Sequence, residues 1–211
     1  MNLFLIINMV GVLAVVAFYK SHRSEPGYVD YDWYHSYPAD YLSTLQYCPT
    51  CEMPRPPRSS HCKDLGRCIL RYDHFCPWIA NAVGLQNHKY FILLIIYAMI
   101  ASSLEQLVMV FLMINYDVKL HWSVLAFFIE NGMVSLSIFL LVVLTLAFQA
   151  YNITTKEFYA WRNRPGASSS ILIKYDKGFY SNFVQIMGPD PVSWWSPFSN
   201  EVILKEGYTF Q

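Results

Sequence analysis

The sequence predicts an all-α polytopic membrane protein with three transmembrane helices and a cysteine-rich module between the first and the second. Three long apolar stretches support this prediction, at residues 3–19, 90–114 and 122–151. Each approaches or exceeds the roughly 20 apolar residues that a helix needs to cross the hydrocarbon core of a bilayer. All five cysteines of the 211-residue chain lie between the first two stretches.

The first stretch, residues 3–19, is the shortest and could instead be a signal peptide. A signal peptide is normally preceded by basic residues and followed by a small-residue cleavage site. No basic residue precedes this stretch, and no such site follows it in residues 20–23. We therefore interpret it as a membrane-spanning helix.

The basic residues predict the orientation of the chain in the membrane. Fourteen of the fifteen Lys and Arg residues lie in residues 20–89 or in the C-terminal tail, whereas Lys119 lies between the second and third apolar stretches. The positive-inside rule then makes the cysteine-rich module and the tail cytosolic and the N-terminus lumenal or exterior. Cysteines in the reducing cytosol bind metals or react more often than they form disulfides. The net charge of zero gives no indication of nucleic-acid binding.

The segments between the spans have distinct compositions. Residues 20–47 show no helical period and are predicted to be a cytosolic loop, residues 48–89 form the module, and residues 115–121 form a lumenal turn. In the cytosolic tail, residues 152–211, we expect a helix that continues the third span to about residue 163, followed by a linker at residues 164–170. Farther on, apolar residues recur at helical spacing and predict a packing face: Phe179, Phe183, Ile186 and Met187.

The module contains the pattern C-x2-C-x9-H-x6-C, formed by Cys48, Cys51, His61 and Cys68. Three thiolates and one imidazole suit a closed, tetrahedral, structural zinc site. A segment this small cannot build a large core, so a bound metal would supply the missing stability. The alternative is a set of reduced cysteines without a ligand. Cys62 is left over and is expected to be a buried structural thiol.

A second chemical pattern lies at residues 73–78. Cys76 is outside the metal pattern and close to the start of the second span. His74 could deprotonate it, and Asp73 could orient the imidazole. Pro77 would restrict the backbone and Trp78 would add apolar bulk beside the thiol. These residues alone do not separate a nucleophile from a chance pairing of Cys and His.

The combined pattern resembles the DHHC-type protein S-acyltransferases, the integral-membrane palmitoyltransferases. The resemblance rests on CPTC, RPPRSSHC and CILRYDHFCPWIANAVGLQNHKYF, with TTKE at residues 154–157 and KYDKGFYSNF near the C-terminus. It implies that Cys76 is acylated by palmitoyl-CoA and that the acyl group then passes to a cysteine of a protein substrate. It also implies that the spans enclose the acyl chain among membrane lipids. It implies these further roles: His74 as base, Asp73 as its orienting residue, Thr155 as a brace for Asp73, Asn182 as the contact of the C-terminal motif with the core, and Arg55 and Arg58 near the phosphates of CoA.

The sequence also departs from the family pattern. The family usually binds a second zinc, and the corresponding ligand positions here are Leu65, Phe75 and Ala82, with only Cys62 retained. We expect these four residues to form a hydrophobic plug in place of the second metal, so that the chain binds one zinc. Members of the family also have four or more spans. The first apolar stretch of this chain corresponds to the second span in that pattern.

We expect the polar residues in and beside the spans to have structural roles. Glu105, Glu130 and Asn131 are expected near the lumenal ends of their spans, without a catalytic role. His88 and Lys89 are interpreted as anchors at the membrane interface, at the start of the second span. His88 and Asp64 are also expected to be surface or turn residues. Asn81 and Asn87 are expected to hold backbone turns.

Three functions fit these observations. The first is a palmitoyl-CoA-dependent protein S-acyltransferase, which the intact Asp73, His74 and Cys76 favour. The alternative is a catalytically weak or inactive membrane scaffold of the same family that binds partner proteins, which the lost ligand positions favour. An unrelated membrane-anchored zinc adaptor is disfavoured by TTKE and the C-terminal motif. The resemblance implies a location in the Golgi or endoplasmic reticulum membrane.

Overall fold

Three long helices organise the chain in the computed structural model, which describes residues 3–116, 121–166, 168 and 172–199. They are α1 (Leu3–Arg23), α4 (His88–Asn115) and α5 (Trp122–Ala150), and in the described part of the chain these three are long and apolar enough to cross a membrane. The helix α4 packs between the other two. The turn predicted at residues 115–121 lies largely outside the described residues, as do parts of the predicted linker and residues 200–211 of the tail.

The segment after α1 is more ordered than the predicted loop. The helix α1 continues to Arg23, and two short helices follow, α2 (Tyr31–His35) and α3 (Ala39–Ser43). The side chain of Asp30 begins α2 by accepting the backbone N–H of Asp32. Trp33 and Leu42 are buried in the main hydrophobic core. One-turn helices of this kind depend on such tertiary packing and leave little periodicity in a sequence.

The cysteine-rich module consists of short antiparallel hairpins, so the all-α prediction is wrong for this part of the chain. The hairpins are β1 (Tyr47–Cys48) with β2 (Met53–Pro54), β3 (Ser60–Cys62) with β4 (Arg67–Ile69), and β5 (His74–Cys76) with β6 (Asn81–Val83). Strands of two or three residues are too short for an alternating pattern to be recognised in the sequence.

Gly84 lets the third hairpin approach the chain that leaves α1. A Cβ atom at this position would clash with the carbonyl oxygen of Pro26 and with the side chain of Ile69. The backbone of residues 26–29 is bonded to this region, since Gln86 donates to Pro26 at 3.2 Å and Leu70 donates to Gly27 at 2.8 Å. Glycine therefore allows α1, the second hairpin and the start of α4 to meet.

The predicted helix after α5 is interrupted before it resumes. The helix α5 ends at Ala150, Asn152 has a left-handed backbone with φ of 52°, and α6 (Thr155–Arg162) then begins. Thr154 and Glu157 form a reciprocal capping box at the start of α6. This local bonding turns the chain toward the module instead of extending α5.

The C-terminal part packs back on the core through α7 (Phe179–Met187) and a 3-10 helix at Pro191–Trp195. Of the predicted packing face, Ile186 and Met187 are buried and Phe183 packs against the core, whereas Phe179 is 65% exposed. The amide of Asn182 donates to the carbonyl of Ala150 and to Asp176, both at 2.7 Å. Asn182 thus joins α7 to the end of α5.

Candidate active site and metal centre

The first two hairpins bring the predicted metal ligands together. The ligand atoms of Cys48, Cys51, His61 and Cys68 all lie within 4.8 Å of one another. The Nδ1 atom of His61 is 3.7 Å from the sulfur of Cys48 and 3.2 Å from that of Cys51. His61 and Cys68 are directly paired in the second hairpin.

This ligand set fits a tetrahedral zinc ion. All of the cysteines are free thiols, so no disulfide competes for the sulfur atoms. Burial, together with the neighbouring thiols Cys48 and Cys51, raises the pKa of Cys68. A bound divalent cation would reverse that effect, because it stabilises thiolates. The four residues lie on or beside the strands of the first two hairpins, so a bound ion would link them.

The four residues of the predicted hydrophobic plug also meet. Cys62 and Ala82 are buried in one cluster with Ile69, and Leu65 and Phe75 pack against it. Phe75 and Ala82 are direct partners across the third hairpin. Apolar contacts therefore join the second and third hairpins at this point.

Asp73, His74 and Cys76 form a connected group on and beside β5. The Nδ1 atom of His74 donates to Oδ2 of Asp73 at 2.7 Å. The imidazole and the thiol of Cys76 also shift each other's pKa, raising that of His74 and lowering that of Cys76. Asp73 accepts two further bonds from Thr155, from its N–H at 2.6 Å and from its hydroxyl at 3.0 Å.

These contacts shift the proton affinities toward an ion pair. Burial lowers the pKa of His74, but its bonds to Asp73 and Cys76 outweigh burial and raise the pKa to about 9. Burial raises the pKa of Cys76, but the bond to His74 and the backbone N–H groups of Ile79 and Trp78 lower it further than burial raises it. Despite burial, the bond to His74 also keeps the pKa of Asp73 below its usual value. A thiolate beside an imidazolium is the reactive form of such a pair.

The thiol of Cys76 borders an apolar cluster that extends between α4 and α5. Its buried members are Ile79, Val83, Phe91, Ile95 and Val142. The ring of Phe91 also meets the ring of His74 edge-on, with centroids 5.3 Å apart. The sulfur of Cys76 therefore lies where polar groups of the module meet the apolar helices.

Trp78 is not among the residues of the apolar cluster around Cys76, although it was predicted to add apolar bulk beside the thiol. Its side chain is 90% exposed, because the 3-10 turn at Pro77–Ile79 directs it away from the cluster around Cys76. In a membrane protein, an exposed tryptophan at the edge of the helices is suited to the bilayer interface.

His88 and Lys89 are buried, so their interpretation as interface anchors is wrong, as is that of His88 as a surface residue. His88 accepts a bond at Nδ1 from Arg71 at 2.9 Å. The ammonium group of Lys89 donates to the carbonyl of Ser193 and to the hydroxyl of Ser199, both at 2.9 Å. Folding of the C-terminal segment over the start of α4 covers these side chains, and a local sequence pattern does not record it.

The guanidinium of Arg58 is bonded to residues at the end of the third span and the start of the tail. Its side chain is fully buried, and its guanidinium donates to both oxygens of Glu157 at 2.7 and 2.8 Å. It also donates to the side chain and the carbonyl of Asn152 at 2.9 and 2.7 Å. Bonds to these partners engage the guanidinium donors that a phosphate would need, so the expected contact with CoA phosphate is not supported.

Arg55 has the more suitable position of the two arginines. Both arginines line a cavity of about 720 Å³ whose walls also include Lys156, Arg164 and Lys174, but Arg55 makes no bond to the described part of the tail. Its Nη2 donates to the side chain of Gln46 at 2.7 Å, and its buried Nε has no partner among the residues that the structure describes. The cavity adjoins Tyr72 and Thr154, and these residues immediately precede Asp73 and Thr155.

Asn152 is a central contact that the sequence analysis missed. Its Oδ1 accepts from Arg58 and from the fully buried Arg71, at 2.9 and 3.0 Å. Its amide donates to the carbonyl of Tyr175 and to the side chain of Gln185, both at 2.9 Å. Asparagine tolerates the left-handed backbone found here, and an Asn two residues before TT is the signal that could have suggested the role. It joins α5, the module and the C-terminal segment.

Comparisons with known proteins agree with this geometry. The profile of the DHHC palmitoyltransferase family matches residues 42–162. The chain is 32% identical over 166 residues to probable protein S-acyltransferase 12 of Arabidopsis thaliana, which covers 74% of this chain and 55% of that protein. It is 31% identical over 175 residues to palmitoyltransferase ZDHHC20-A of Danio rerio, covering 79% of this chain and 47% of that protein.

The sequence identity to another relative is higher, over a shorter alignment. Over 52 residues the chain is 52% identical to palmitoyltransferase ZDHHC9 of Bos taurus, which covers 25% of this chain and 14% of that protein. The chain spans about half the length of the longer matches. Because the family profile covers more than half of the chain, from before the metal ligands to the end of α6, this chain belongs to the DHHC palmitoyltransferase family.

Proposed function

We propose that this protein is a protein-cysteine S-acyltransferase that uses a long-chain acyl-CoA, such as palmitoyl-CoA, and forms an acyl-enzyme at Cys76. The observation that carries the proposal is the bond between His74 and Asp73, with a neighbouring thiol, Cys76, whose pKa the imidazole lowers and which lies in an apolar cluster. This arrangement joins an activated nucleophile to a surface that accepts a fatty chain.

In the first step the Cys76 thiolate attacks the carbonyl carbon of the acyl-CoA thioester. A bond forms between that carbon and the sulfur of Cys76, and the bond to the CoA sulfur breaks. The proton held by the His74 imidazolium passes to the departing CoA thiolate. Asp73 holds the imidazole in the tautomer that carries a proton on Nδ1 and leaves Nε2 toward the sulfur.

In the second step a cysteine thiol of a protein substrate takes the acyl group. Neutral His74 accepts the proton of that thiol, and the substrate sulfur attacks the thioester on Cys76. The Cys76 thiolate leaves and again pairs with the protonated imidazole. The net reaction moves the acyl group from one sulfur to another, with no oxidant or reductant.

The acyl chain would lie against the apolar cluster between α4 and α5. Burial of an alkyl chain contributes about 0.8 kcal/mol per methylene. A nucleophile at the edge of the membrane helices can thus reach the thioester while the chain stays among apolar side chains and lipids. Cys76 borders Phe91, Ile95 and Val142, which begin this path on both helices.

The cavity beside Asp73 and Thr155 suits the CoA portion. Arg55, Lys156, Arg164 and Lys174 provide positive charge for its phosphates, and the unpartnered Nε of Arg55 provides a donor. Cys48, Cys51, His61 and Cys68 would hold one zinc ion, which stabilises the hairpins that carry the reactive group. We further propose that the module faces the cytosol and that the protein lies in the Golgi or endoplasmic reticulum membrane.

Incubation of the purified chain in detergent with an alkyne-tagged palmitoyl-CoA analogue tests the proposal. We expect a hydroxylamine-sensitive label at residue 76 that is lost in Cys76→Ser and kept in Cys62→Ser. The label should pass to a cysteine-containing peptide. Absence of the label from zinc-loaded wild-type protein would reject the acyltransferase function and favour the membrane scaffold.

A further inference from the structure

The loop that follows the nucleophile is short and has an unusual backbone. Cys76 and Asn81 are direct partners at the end of the third hairpin. The nucleophile loop, residues 77–80, connects them through a 3-10 turn and ends at Ala80, whose φ is 47°. A left-handed backbone at a non-glycine residue requires support from its surroundings.

Asn81 connects this loop to the end of α1. Its side-chain amide lies within bonding distance of three carbonyl oxygens, those of Ser21 at 3.0 Å, His22 at 3.1 Å and Ser24 at 2.9 Å. The last carbonyls of a helix have no partner within the helix. The amide of Asn81 satisfies them from outside, and its own residue is 6% exposed.

His22 makes a second connection from α1 to the same loop. Its Nδ1 donates to the carbonyl oxygen of Ile79 at 2.8 Å, since a carbonyl can only accept. The ring is also stacked on Phe18, one turn earlier in α1. The direction of the ring is therefore set by α1 itself.

The two connections act on the loop that begins at the reactive cysteine. Ile79 bonds to α1 through its carbonyl oxygen, and its side chain lies in the same buried cluster as Cys76. Asn81 is bonded to the end of α1 and is the direct strand partner of Cys76. A movement of the end of α1 would therefore move both neighbours of the sulfur.

We infer that α1 is part of the catalytic apparatus and that Asn81 and His22 are positioning residues, which hold the nucleophile loop and thereby the position of the Cys76 sulfur relative to the His74 imidazole. This inference rests on the proposed function, in which Cys76 is the nucleophile. It gives α1 a role beyond anchoring the chain in the membrane.

The test measures the rate at which iodoacetamide alkylates Cys76 across a pH series, in the full chain purified in detergent. Asn81→Asp keeps the shape of the side chain but removes its donors, and His22→Phe keeps an aromatic ring but removes its donor. Asn163→Asp and His35→Phe make the same changes at exposed positions just after α6 and on α2. Zinc content and acyl-enzyme formation are measured on the same samples.

We expect alkylation at neutral pH to be about tenfold slower in Asn81→Asp and about threefold slower in His22→Phe, in the range of one lost hydrogen bond. The pH midpoint should rise, the zinc content should not change, and both controls should match wild type. Because the two residues hold one loop, the double variant should be no slower than Asn81→Asp alone.

A His22→Phe profile that coincides with wild type would overturn the inference, since this exposed position tolerates substitution even if Asn81→Asp does not fold. Additive effects in the double variant would also overturn it. Alkylation needs no acyl donor, so a reactive Cys76 that forms no acyl adduct would reject the proposed acyltransferase while leaving the role of α1 intact.

Discussion

Thr155 donates twice to the carboxylate of Asp73, through its backbone N–H at 2.6 Å and its hydroxyl at 3.0 Å. The two residues are 82 positions apart in the chain. Thr155 is the first residue of α6. The N–H groups at the start of a helix have no acceptor within the helix, so they favour a negative charge nearby. The start of α6 therefore holds the acid that orients His74, and the polar tail after the third span is part of the site.

Replacement of Thr155 by Val should slow formation of the Cys76 thioester by up to about tenfold, because one bond to a charged group is lost while the backbone N–H remains. Single-turnover labelling with the alkyne-tagged donor measures this rate. Thr155→Ser keeps the hydroxyl and should retain most of the rate. Equal rates in Val and wild type would show that the hydroxyl does not support Asp73.

The pH dependence of Cys76 reactivity should change when the negative charge of Asp73 is removed. Asp73 stabilises the protonated form of His74, whose pKa of about 9 keeps the imidazolium charged at neutral pH. The imidazolium in turn stabilises the thiolate. In Asp73→Asn, burial acts on the imidazole without this acid, so the His74 pKa should fall and that of Cys76 should rise.

Alkylation of Cys76 followed by mass spectrometry from about pH 5 to pH 10 measures this change, because the thiolate is the reacting species. The midpoint should move to higher pH in Asp73→Asn. Asp64→Asn removes an acid from an exposed position and should leave the midpoint in place. An unchanged midpoint in Asp73→Asn would mean that the acid does not control the ion pair.

The two arginines of the RPPR sequence should respond differently to substitution by glutamine. Arg58→Gln breaks a buried pair with Glu157 and should destabilise the fold by about 3–5 kcal/mol. Arg55→Gln should leave stability unchanged and raise the KM for palmitoyl-CoA. Thermal unfolding in detergent and initial acylation rates separate the two effects. A raised KM in a fully stable Arg58→Gln variant would return this arginine to the donor site.

Metal content should be one zinc ion per chain. Cys68→Ser removes a buried ligand of the tetrad and should abolish zinc binding and destabilise the module, because metal binding is coupled to its folding. Cys62→Ala lies in the hydrophobic plug and should retain the ion. Elemental analysis of purified protein gives both values. Two zinc ions per wild-type chain would contradict the plug.

Spacing in the sequence was sufficient to predict the metal tetrad and the pairing of His74 with Asp73. These groups depend on residues within 21 positions of one another, and short hairpins bring such residues together. The same spacing could not show that the module consists of strands, because pairs of two or three residues leave no period. It also could not assign Trp78, whose direction depends on the turn at Pro77–Ile79.

Contacts between residues far apart in the sequence explain why the structure differs from the other expectations. Arg55 and Arg58 are three positions apart and appear equivalent in the sequence, yet Arg58 is buried against Glu157, 99 positions later. His88 and Lys89 were expected at the surface because charged residues beside an apolar stretch usually lie there. The C-terminal segment covers Lys89, and Arg71 from the module bonds to His88.

The order of apolar and cysteine-rich segments by itself determined the three membrane helices and the position of the module between the first two. The spacing of residues within the module determined which residues belong to the metal group and which belong to the group of Asp73, His74 and Cys76. Hydrophobic length and ligand spacing are local properties, so they are present in the sequence before the chain folds. Tertiary structure alone decided that Asn81 and His22 join α1 to the nucleophile loop and that Asn152 joins α5 to the module and the tail. A hydrogen bond across tens of residues depends on how the helices pack, and no single segment encodes that geometry.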